Sequence, residues 1–195
     1  IKSSFMLGCG ETEAEIRQSI RLGVDFLITL QKTDGHWGSM NPAMSNIWMP
    51  GYRETEGIKV AVTALTVKAL IETGIDTPEV KASLDRGIQW MLDYRPTFRR
   101  QTTASLFNSW GHAYAIEALV VLLEQYPMDA AQQETVRELI RDQVRLLESY
   151  QSIRGGWAYY TPYPHTRPPQ NWGVSFLTAT SIIAFYRAEE AGIEV

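Results

Sequence analysis

Across 195 residues the chain is 45% apolar, 11% aromatic and 21% charged, with a formal net charge of −4. That apolar share excludes wholesale disorder, and the length fits one domain able to bury roughly 70% of its unfolded surface. No run nears the ~20 apolar residues of a membrane-spanning helix; mild acidity without a basic stripe argues against nucleic acid as a partner; and a lone Cys9 excludes a disulfide framework.

Residues 1–11 read as a leader segment. The chain opens on Ile1, which reads as a processed or truncated piece of something longer. Met6-Leu7-Gly8-Cys9 has the form of a lipoprotein cleavage site, so a lipid-anchored Cys9 stands beside the plainer reading of an unreactive cysteine. The compartment stays open between the cytoplasm and the periphery of a membrane.

From residue 12 to 195 the helical period dominates, and no alternation of period two appears. The first helix runs from Glu13 to about Gln31, with Ile16, Ile20, Val24, Phe26, Leu27 and Leu30 on one face; Thr12 and Glu15 form a capping box, and Asp34-Gly35 stops the helix. A second, Ala-, Val- and Leu-rich helix spans about Thr55 to Glu72 and ends at Gly74. Thr77-Pro78 opens the third, which runs to about Tyr94 before Pro96. The fourth covers about Ser109 to Gln125, the fifth Asp129 to Tyr150 and the sixth Val174 to Ala191 before Gly192. The expected class is all-α, a single domain of three hairpins at about 12–74, 77–127 and 128–192.

The odd-numbered helices are amphipathic and charged, whereas the even-numbered ones are rich in small and apolar residues. That alternation predicts an outer layer wrapped around an inner one whose helices are buried on more sides. Two long loops, about Lys32 to Arg53 and Ser152 to Asn171, carry Gly, Pro and aromatics, the composition of ordered functional loops.

Internal repetition is the strongest signal. Trp48-Met49-Pro50-Gly51-Tyr52, Trp110-Gly111-His112-Ala113-Tyr114 and Trp172-Gly173-Val174-Ser175-Phe176 stand 62 residues apart, each expected just before an inner helix. A side-chain amide lies two residues upstream of each, at Asn46, Asn108 and Gln170. The outer helices repeat as well. The first reads Gly23-x-x-Phe26-Leu27-x-x-x-Gln31-x-x-x-Gly35-x-Trp37. The second copy gives Gly87-x-x-Trp90-Met91 and then Arg95 in place of Gln; the third gives Leu146-Leu147-x-x-x-Gln151 with Gly155-Gly156-Trp157, and Gln143 replaces the leading Gly. A helix-ending Gln caps backbone groups and the Trp stacks onto the neighbouring outer helix, so Gln31, Gly35, Trp37, Gln151, Gly156 and Trp157 read as a structural fastening between hairpins.

This run resembles the QW motif of squalene and oxidosqualene cyclases, and is similar to the repeats of protein prenyltransferase β-subunits. The resemblance extends from about Glu13 to Gly192. It implies an α/α toroid, with inner helices around a cavity. Full members use about twice as many hairpins, so three make half a ring with two open ends. Such ends imply a missing second half or a homodimer.

The resemblance does not carry the family's chemistry with it. Cyclases of this type protonate an alkene with an Asp-x-Asp-Asp cluster, whereas Asp25, Asp34, Asp76, Asp85, Asp93, Asp129 and Asp142 each stand apart. The prenyltransferase relatives bind zinc through Asp, Cys and His; here Cys9, His36, His112 and His165 have no paired ligand spacing, so neither metal nor cofactor is expected. Cys9-Gly10-Glu11 resembles the thioester sequence of complement-like proteins, but Thr12 occupies the place of the required Gln. What remains is an aromatic-lined cavity from Trp48, Tyr52, Trp110, His112, Tyr114, Trp172 and Phe176, suited to a prenyl chain, a triterpene, a carbocation or a sugar ring, with Tyr159, Tyr160, Tyr163 and His165 placed to cover it. The alternative is that these aromatics plug the ring. For acid–base chemistry the candidates are His112 and Glu117, the latter interrupting an apolar helix; a Glu bonded to a neighbouring helix would give the same sequence.

Three functions remain in play: a non-catalytic module for an apolar ligand, half of a terpene cyclase-like enzyme, and a protein-binding repeat scaffold. Full packing of Trp110 and Trp172 would favour the scaffold.

Overall fold

The computed structural model describes residues 12–38, 56–94, 108–158 and 172–195. The leader with Cys9, the aromatics Trp48 and Tyr52, the loop residues Tyr159, Tyr160, Tyr163 and His165, and the amides Asn46 and Gln170 lie outside them. Among the described residues are six helices and no strand: α1 (Glu13–Leu30), α2 (Glu56–Thr73), α3 (Pro78–Asp93), α4 (Asn108–Gln125), α5 (Ala130–Ser149) and α6 (Ser175–Glu190). The chain is all-α, and none of these helices is long and apolar enough to cross a membrane.

Local chemistry fixes the ends. Thr12 and Glu15 cap α1 reciprocally, and Thr77 accepts from the Val80 amide ahead of Pro78 at the start of α3. Asp129 and Gln132 form a second capping box, at α5. Gly74 and Gly192, with φ of 64° and 77°, close α2 and α6 in the left-handed conformation that ends helices.

Two layers result. In one, α4 packs between α2 and α6; in the other, α3 lies against α2 and α5 against α4, while α1 reaches α3 and α2 more lightly. Val67 and Leu70 of α2, Ile116, Leu119 and Leu122 of α4, and Val136, Ile140 and Leu147 of α5 fill the space between layers. Burying each such side chain contributes roughly 1.5–3 kcal/mol. The helices α2 and α4 are apolar around most of their circumference because neighbours surround them.

Two expectations change at the ends of the array. The stripe expected to bury along α1 is mostly open: Val24 is buried, whereas Ile20, Phe26 and Leu30 are exposed. Helix α6, expected to be enclosed, exposes Ile182, Ile183 and Tyr186. Both are terminal helices, and among the described residues no further helix packs on their outer sides.

Candidate functional site

The repeated fastening is resolved twice. At the first junction Gln31 donates from Nε2 to the carbonyls of Gly35 and Ser83, both at 2.9 Å. Its Oε1 accepts from Ser83 Oγ at 2.9 Å and from the Arg86 guanidinium. The amide is thus fully used, tying the α1 terminus to α3. Trp37 donates its indole N–H to the Leu27 carbonyl at 2.7 Å, and its backbone N–H to Thr63 Oγ1 on α2 at 3.0 Å. Its ring lies over Gly87 of α3, where an added Cβ would approach Trp37 Cζ3 to 2.6 Å.

The third hairpin repeats the internal half of this geometry. Gln151 Nε2 donates to Gly155 O at 3.0 Å, the Trp157 indole to Leu147 O at 2.7 Å, and the Trp157 backbone N–H to Thr178 Oγ1 at 3.1 Å. Gly156, in turn, runs so close to Gly173 that a Cβ there would meet Thr178 Oγ1 at 3.1 Å. The Thr partners on the inner helices, Thr63 and Thr178, belong to the fastening but were not singled out in the sequence. Their separations from the Trp differ, 26 against 21 residues, Thr63 being the eighth residue of α2 and Thr178 the fourth of α6.

The second junction lacks Gln and Trp and is built otherwise. Gln143, in the place of the motif's leading Gly, bonds His112 Nδ1 across α5 and α4 at 2.7 Å, and Tyr150 stacks on the imidazole with centroids 5.5 Å apart. Burial pulls the His112 pKa down from 6.5 to about 4 against the opposing Gln143 bond, so the ring is neutral at pH 7.

His112 therefore meets α5 through Gln143 and the Tyr150 ring that follows it. Glu117 faces α2, where its carboxylate bonds Lys68 Nζ at 2.6 Å between two largely buried side chains. The two acid–base candidates are directed to different helices and do not meet.

Of the aromatic repeat, the structure brings Trp110 and Phe176 together, with ring centroids 5.8 Å apart and planes tilted by 39° between α4 and α6. Trp172 is 40% and Phe176 46% exposed. Tyr114 is partly buried on α4. Of the two Trp positions within the described residues, the expected equivalence does not hold in register: Trp110 is the third residue of α4, whereas Trp172 precedes α6 by three residues. Equal spacing along the chain absorbs differences in loop and helix length that only the fold reveals.

A second aromatic feature went unnoticed in the sequence. Trp90 stacks on Tyr94 with centroids 4.4 Å apart, and His36 packs on Trp90 at 5.3 Å. Trp90 and Tyr94 border a groove of about 480 Å³ lined also by Asp34, Asp85, Arg86 and Asp93. The i, i+4 spacing of Trp90 and Tyr94 on one helix was the available signal. Among the described residues no group of three or more His, Cys, Asp or Glu side chains is placed to hold a metal ion. No protein family, curated protein or solved structure matched the chain.

Proposed function

We propose that this chain is a squalene cyclase- and prenyltransferase-like repeat domain of the α/α-toroid type. Its inner helices would offer an aromatic surface to an apolar, terpenoid- or prenyl-type ligand, without the acid cluster or zinc ligands of those enzymes. One observation carries the reading: Trp110 and Phe176 pair across α4 and α6, and both Phe176 and Trp172 keep large exposed areas. Aromatic faces left open to water favour an isoprenoid chain or an electron-poor centre. The candidates for proton transfer weigh toward binding, since His112 and Glu117 are each engaged across helices by Gln143 and Lys68.

The test is a titration with a dansylated geranyl probe, whose fluorescence rises in an apolar site. Saturable binding that falls at least tenfold in Trp172→Ala/Phe176→Ala, with the helical circular dichroism retained, is the expected result. No saturable binding, or equal binding by the double variant, would remove the reading. The exposed faces of α1 and α6 favour a second reading, association with another protein surface.

A further inference from the structure

We draw no further inference here: the strongest candidate, the groove beside α3 lined by Trp90, Tyr94, Asp34, Asp85, Arg86 and Asp93, is an aromatic and acidic cluster with nothing in the structure to point to a ligand, since Tyr94 and His36 already pack on the Trp90 ring and Asp34, Asp85 and Arg86 are bonded to His36, Tyr126 and Gln31.

Discussion

Gly87 of α3 lies beneath the ring of Trp37, so near that a Cβ would come within 2.6 Å of Cζ3 and 3.0 Å of Val67 Cγ2. Both partners are buried, and neither has free volume to retreat into. Gly87→Ala should therefore destabilise the chain by about 1–3 kcal/mol through overpacking, outweighing the gain in helix propensity. Gly23→Ala, at the matching position of α1, places its Cβ with nothing within 4 Å and should stabilise by about 0.5–1 kcal/mol. Urea unfolding of the two variants checks the sign of each.

Gln31 and Gln151 present the same contrast in polar form. Gln31→Ala leaves the Ser83 carbonyl and hydroxyl without their partner at a partly buried junction. The expected cost is about 1–3 kcal/mol. Gln151→Ala removes a bond to Gly155 O on an exposed turn, and should change monomer stability by about 0.5 kcal/mol or less. Equal losses would mean that the two turns are anchored alike, contrary to the geometry.

Much of this architecture was legible because it rests on local rules. Thr12 with Glu15, Thr77 with Pro78, and Gly74 and Gly192 mark helix ends by short-range chemistry, and the Gln–x₅–Trp spacing encodes a turn that folds the same way twice. Directions around a helix were less accessible. His112 and Trp110 are two residues apart in one motif, yet one meets α5 and the other Phe176 of α6, because two residues turn a helix by about 200°. The Lys68 partner of Glu117 lies 49 residues away and has no local signature. Which apolar faces stay open was also hidden, since Ile20 and Leu84 occupy matching places in similar helices and differ only in having a neighbour.

The Lys68–Glu117 pair joins α2 to α4 with side chains 26% and 11% exposed. Removing one partner strands the other charge, so Lys68→Met and Glu117→Leu should each destabilise by about 1–3 kcal/mol, less than for a fully dry pair because water reaches Lys68. The double variant places two apolar side chains together and should recover at least about 1 kcal/mol relative to the sum of the singles. Additive losses would show that the two charges act separately.

His112 gives the fold a pH dependence whose sign follows from its environment. Burial favours the neutral ring, so the folded pKa of about 4 lies below the ordinary 6.5. Between those values the unfolded chain takes up a proton that the folded chain does not. The contribution is therefore complete above about pH 6.5 and is lost as the pH falls toward 4, a change of about 3 kcal/mol. Because Gln143 is neutral, protonated His112 would have no counter-charge in its bond across α4 and α5. His112→Gln, which cannot titrate, should lower stability at pH 7 but flatten its decline between pH 6.5 and 4.5. Urea midpoints across that range separate the outcomes: an unchanged slope in the variant would mean that another group governs the acid response. A flattened slope would identify this buried imidazole as the source, and the α4–α5 junction as the part of the repeat that acid weakens first.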